Sequence, residues 1–179
     1  TLAVKAREGN FDSASAVELN MLRKMADDLM KTLQSNPETP DENPLKLEMT
    51  PDGMRISVFD RNRKPIFEPD TAEFTSYGVW IFSTLAWEIA RYTNSFSIEL
   101  EGHTELGRPF RSADYTSWEP SADRANSARR KLLAHDVVPS QIRKVAGYGE
   151  TLPMANLDPH DESNRRVGVL LKLNSGSRL

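Results

Sequence analysis

The sequence predicts a two-layer α+β sandwich, a mixed sheet with its helices on one face, and three observations carry that expectation. Four short segments alternate apolar and polar residues at the period of a half-buried strand, and a fifth, 142–146, also reads as a strand. Two longer segments between them repeat apolar residues at helical spacing. The resulting order, β-β-α-β-α-β-β, segregates the helices to one side of the sheet, and the helix between the second and third strands permits a crossover connection. Nothing repeats at intervals of 20–50 residues, which excludes a solenoid.

The chain opens with an appendage to this unit. Ser15 followed by Glu18 has the form of a capping box, and Val17, Met21, Met25, Leu29 and Leu33 recur at helical spacing, which predicts a helix over 16–33. Its stripe needs a partner, either the domain itself or a second copy of the chain. Amphipathic helices ordinarily bury their stripe on their own domain, and methionines make that surface adaptable. Residues 35–44 contain three prolines and no large apolar side chain, as a linker or exposed loop does. The organisation expected is a linker helix with a Pro-rich loop over 1–44, a domain over 45–174, and a frayed tail over 175–179.

Within the domain, Leu45, Leu47 and Met49 alternate with Lys46, Glu48 and Thr50. Pro51-Asp52-Gly53 supplies a turn, and Met54, Ile56 and Val58 resume the alternation, giving a hairpin with one buried face. Residues 61–64 form a basic turn, most simply a solvated loop. From Thr75 or Ser76, either a suitable N-cap, the spacing of Val79, Phe82, Leu85, Ala86 and Ile89 specifies a helix ending near Asn94, with Trp80 and Trp87 at its core or rim. Phe96, Ile98 and Leu100 mark a third strand, which Gly102-His103-Thr104-Glu105 breaks. The aperiodic loop 106–116 belongs on the surface beside whatever the adjoining cleft binds. Ser117 can cap the next helix, with Pro120 tolerated in its first turn. On that helix Ser117, Ser121 and Arg124 share a face beside the stripe of Ala125, Ala128 and Leu132, which puts Arg124 at the edge of the buried side. Residues 142–146 read as a fourth strand with Gly147-Tyr148-Gly149-Glu150 as its exit, and Val167, Val169, Leu171 and Leu173 as a fifth, with Asn164 and Arg165 at its mouth.

Composition narrows the function classes. Lys and Arg total 23 against 26 Asp and Glu, with no basic block, so there is no electrostatic footprint for nucleic acid or anionic lipid. Without cysteine there is no disulfide, thiolate nucleophile or Cys-ligated metal. No apolar run approaches the roughly 18–20 residues that cross a bilayer, and residues 1–10 lack a signal-peptide core, so the chain reads as a soluble segment. It begins at Thr1 rather than Met, which is compatible with an anchor upstream. His103, His135 and His160 lack metal-ligand spacing, and no nucleophile, base and orienter stand together, so no catalytic residue, metal or cofactor is expected. His103 reads as a turn residue bonded to structure. Gly147-Tyr148-Gly149 is no phosphate loop, because no helix signature follows it.

What remains is Glu105 with Arg124. A carboxylate and a guanidinium across a cleft can hold a small zwitterion, or can pair with each other and brace the loop. The motifs GHTE at 102–105, SWEPSADRA at 117–125 and NRRVGVLL at 164–171 resemble, in order and spacing over 65–173, those of the OmpA-like peptidoglycan-binding family. Within it, the lengthened loop, Trp118 and the hairpin MRISVFDRNRKPIF at 54–67 are most similar to the branch that anchors flagellar-motor stators. The resemblance implies non-catalytic binding of peptidoglycan, with Glu105 and Arg124 holding the diaminopimelate of the stem peptide. Thr104 would orient the carboxylate, Ser117 and Ser121 would line the helix side, and Arg165 would support the grip or tie the strands. It also implies a homodimer and a periplasmic location in an inner-membrane protein, joined to MotA through a transmembrane segment outside this sequence. The alternatives are another envelope anchor of the OmpA/Pal kind, or a dimerisation or regulatory module that has lost wall binding. The chain departs from the family pattern with Glu105 for Asp, Ser117 for Asn and Pro120 for Leu. The added methylene displaces the Glu105 carboxylate by about 1.5 Å, close to the tolerance of a preorganised site.

Overall fold

The alternating segments all become strands of one sheet. In the computed structural model, which describes residues 2–35, 38–39, 42–92 and 94–174 and the side chains from residue 16 onward, these are β1 (Leu45–Thr50), β2 (Gly53–Phe59), β3 (Phe96–His103), β4 (Ile142–Gly147) and β5 (Arg166–Leu173). The tail 175–179 and parts of the Pro-rich loop lie outside the described residues. The strand order is β1-β2-β5-β3-β4, with β3 and β4 parallel and the other neighbours antiparallel. The last strand of the chain is therefore central. Its inward Val167, Val169 and Leu171 lie between Met54, Ile56 and Val58 on one side and Ile98 and Leu100 on the other, and all are buried.

Three helices cover this apolar face: α1 (Leu2–Thr32), α2 (Ser76–Ala90) and α3 (Trp118–Ala134). The first begins well before residue 16, and the Ser15–Glu18 pair lies inside it. The preceding Leu, Ala, Lys, Arg and Glu residues are good helix formers, and one glycine, Gly9, costs only about 1 kcal/mol in such a run. Its buried stripe is Leu22, Met25, Leu29 and Leu33, which join the domain core, whereas Val17 is 70% exposed. The stripe is thus buried on its own domain.

Thr75 caps α2, its Oγ1 accepting from the Gly78 amide at 3.0 Å. The helix ends at Ala90, short of Asn94, and its buried stripe uses Ile81 where Val79 is partly exposed. Trp80 and Trp87 belong to the rim, not the core, and the Arg91 guanidinium lies over the Trp87 ring at 5.0 Å.

Ser117 occupies the N-cap position of α3 but makes no side-chain cap, which corrects the expectation. The residue an N-cap hydroxyl would reach is Pro120, which has no N–H to give. Glu119 instead reaches back and accepts from the Thr116 amide at 2.9 Å and its hydroxyl at 3.2 Å. Two glycines let α3 approach the sheet. A Cβ on Gly102 would stand 1.8 Å from the Ser121 carbonyl oxygen, and one on Gly147 would stand 2.6 Å from the Ala122 nitrogen.

Candidate functional site

β2 ends at Phe59, and the next residue, Asp60, is buried where the sheet meets the first turns of α3. Its Oδ1 accepts from the amides of Ile66 at 2.9 Å and Phe67 at 3.3 Å, folding the 61–67 segment over it. Its Oδ2 accepts from two arginines, Arg124 Nη1 at 2.9 Å and Arg165 Nε at 3.2 Å. One carboxylate therefore fixes two guanidiniums, an arrangement that needs planar forks rather than point charges.

Arg124 enters from α3 and is only 4% exposed. Its Nε donates to the Thr71 carbonyl at 3.0 Å, and its guanidinium lies 4.8 Å above the Phe67 ring. Burial pulls its pKa below the ordinary value, and the Asp60 charge opposes that pull. Arg165, at the mouth of β5, donates from Nε to the Asp60 carbonyl at 2.8 Å, from Nη2 to Asn62 at 2.8 Å, and from Nη1 to Glu105 Oε1 at 3.0 Å.

Glu105 and Arg124 thus do not pair with each other. Both line a cleft of about 310 Å³ together with Asp60, Asn62, Pro65, Phe67, Asp70, Arg108 and Arg165. Arg165 holds one oxygen of Glu105, and the other, Oε2, is buried with no hydrogen-bond partner. Thr104 is buried beside it with an unpartnered hydroxyl, its amide bonded to the Gly149 carbonyl at 2.9 Å. The structure therefore brings Glu105, Arg124 and Arg165 to one cleft, whereas the Thr104 hydroxyl is not among its lining groups and makes no bond to the Glu105 carboxylate that it was expected to orient.

The two serines are placed differently. Ser121 is fully buried, donating to the Trp118 carbonyl at 2.9 Å and accepting from the Gly149 amide at 3.0 Å, so its hydroxyl joins α3 to the exit of β4 and does not line the cleft. Ser117 lies in a neighbouring pocket. Asp60 is the residue sequence reasoning missed, and the signal was a lone acid at the end of an apolar strand, immediately before a basic turn. Asn62, read as part of a solvated loop, binds Arg165. His103 is not in a turn but closes β3, buried, with Nε2 3.2 Å from Glu101 and its ring stacked on Tyr148. No cluster of His, Cys, Asp or Glu suited to a metal occurs among the described residues.

A helix-covered mixed sheet with a fixed arginine and a half-paired carboxylate at the ends of its inner strands is an arrangement found in small α+β domains of the OmpA-like class. Residues 66–166, more than half of the chain, match the OmpA family, and the chain belongs to that family. Motility protein B of Escherichia coli (strain K12) is 32% identical over 158 residues, covering 87% of this chain and 50% of that protein. The chain thus spans about half the length of the curated relative it matches. Among solved structures, the periplasmic domain of Helicobacter pylori MotB superposes with a TM-score of 0.62 at 19% identity, covering 74% of this chain and 90% of that one. The cell wall anchor of the type VI secretion system from Pseudomonas aeruginosa gives 0.62 at 19%, covering 82% and 97%. These likenesses are of fold, and they agree with the α+β sandwich.

Proposed function

We propose that this domain binds peptidoglycan without catalysis and anchors a flagellar-motor stator complex to the cell wall. The observation that carries this reading is the cleft itself: Glu105, whose Oε2 has no partner, and Arg124, a buried guanidinium, line the same walls. An amino-acid end such as that of diaminopimelate offers an ammonium to the first and a carboxylate to the second. Arg165 and Asp60 hold both groups in place before ligand arrives, which lowers the ordering cost of binding. The binding residues are Thr104, Glu105, Arg124 and Arg165, with Ser117 and Ser121 supporting the helix start that carries Arg124.

In this reading the domain is periplasmic and acts as a homodimer. A membrane segment outside this sequence joins it to MotA, and no helix among the described residues is long and apolar enough to cross a membrane. Paired domains in a multi-stator motor hold the wall through effective concentration even when each site is weak.

Co-sedimentation with purified sacculi tests the reading. The parent chain pellets with the wall, and Arg124→Ala loses at least tenfold in apparent affinity, the scale of one charge-assisted contact. A parent chain that stays in the supernatant, or an Arg124→Ala variant that pellets equally well, refutes it.

A further inference from the structure

The cleft does not end at Arg108. On its far side lies a second cavity of about 430 Å³, lined by Asp70, Arg108, Phe110, Arg111, Tyr115 and Ser117 among others. The two cavities share Asp70 and Arg108, whose side chains meet at 2.6 Å and form the partition between them. The partition is easily opened from one side. The Asp70 side chain is 82% exposed, and an ion pair with so much water at one end contributes little. Arg108 is held differently: its side chain is 15% exposed, and its Nη1 is buried without a hydrogen-bond partner. A guanidinium with one nitrogen on an exposed carboxylate and another buried and unused can exchange that carboxylate for a ligand's.

The second cavity has its own chemistry. Pro109, Phe110, Tyr115 and Pro120 give it apolar walls, and Arg111 sits with its guanidinium 5.4 Å above the Tyr115 ring. Tyr115 is pinned by a 2.7 Å bond to Asp123 on α3, so this wall is fixed to the same helix that carries Arg124. Arginines beside apolar walls suit a peptide residue that carries its own carboxylate.

We propose that the two cavities form one peptide groove, in which Arg108 takes a second carboxylate, one residue along the peptide from the amino-acid end gripped by Glu105 and Arg124, and the Phe110–Tyr115 cavity takes that residue's body. Asp70 stands in for this carboxylate when the groove is empty. The inference rests on the wall-binding reading and adds to it a specificity for peptide over free amino acid.

Calorimetric titration with two probes tests it: free diaminopimelate, and the tripeptide Ala-γ-Glu-diaminopimelate, whose glutamate keeps a free carboxylate. The parent binds the tripeptide at least tenfold tighter than the free amino acid. Phe110→Ala, in the second cavity only, lowers that ratio several-fold while leaving the affinity for free diaminopimelate within about twofold, and Arg108→Ala removes most of the ratio. Equal binding of both probes by the parent, a Phe110→Ala variant that weakens both probes alike, or an Arg108→Ala variant that keeps the full ratio overturns the groove. If sacculi still pellet the parent and Arg108→Ala equally, only the groove fails; if the parent binds neither probe nor sacculi, the wall-binding reading fails with it.

Discussion

Glu101 and Glu105 stand at the same end of the sheet, one within β3 and one just past it, and each accepts a bond from an arginine across the fold. What surrounds them differs. Glu101 lies on the polar face of the sheet, where its Oε2 takes both Arg55 Nη1 at 2.9 Å and His103 Nε2 at 3.2 Å. Burial pushes its pKa upward, but His103 and Arg55 outweigh that and hold it at about 2. The cluster is closed by partners the chain itself supplies. Glu105 gives one oxygen to Arg165, and the other is buried without a partner at the wall of a cleft. The difference separates a carboxylate fully paired within the fold from one left half unsatisfied beside a cleft.

The sharpest way to break this distinction is at Asp60, which serves both purposes. Asp60→Ala leaves two guanidiniums, one of them almost fully buried, without their shared carboxylate, and removal of one partner from such a network costs about 3–5 kcal/mol. Chemical denaturation should show that loss, and sacculus binding should vanish with it.

Glu101→Gln comes next, with an expected loss of roughly 1–3 kcal/mol at neutral pH and little change in wall binding. Its sign with pH follows from the carboxyl being held at about 2 in the fold against 4.5 ordinarily. The stabilisation it gives is complete above about 4.5 and is lost as pH falls toward about 2. His103 acts in the same direction at higher pH. Burial depresses its pKa below the ordinary 6.5, so its contribution is complete above that value and declines as the unfolded chain takes up protons below it. Denaturation midpoints from pH 7 downward should therefore fall for the parent, and the Gln variant should show a shallower decline in the acid range. A variant that tracks the parent throughout would remove Glu101 from the account.

The smallest stability effect belongs to Glu105→Ala, under about 1 kcal/mol, because Arg165 keeps Asp60 and Asn62. Its sacculus affinity should nevertheless drop severalfold, and Glu105→Asp should retain binding. A Glu105→Ala variant that lost stability but held the wall would reverse the contrast with Glu101.

Most of the fold was legible because its signals are local. Four of the five strands carry their own alternation, and the ends of β1, β2 and β5 fall within about a residue of where the pattern stops. Glu105, Arg124 and Arg165 were legible because they sit in spaced motifs. Asp60 was not, because its role exists only where chain segments 64 and 105 residues away in sequence return to it. Ser117 misled because a good N-cap residue means nothing when the amide it would reach belongs to proline. The start of α1 misled for the opposite reason: a capping signature within a run of helix formers does not interrupt it.

Gly102 gives the cleft an unexpected weak point. It does not line the cleft, yet the absence of its side chain is what lets the carbonyl of Ser121 settle against β3, and with it the first turns of α3. A single methyl group there acts as a shim: it lifts the helix, and Arg124 leaves its seat on Asp60 while every residue that faces the cleft is still in the sequence. Reading only the contact residues of a relative would score such a protein as competent. The seat of Arg124 is thus set by an empty position on the neighbouring strand.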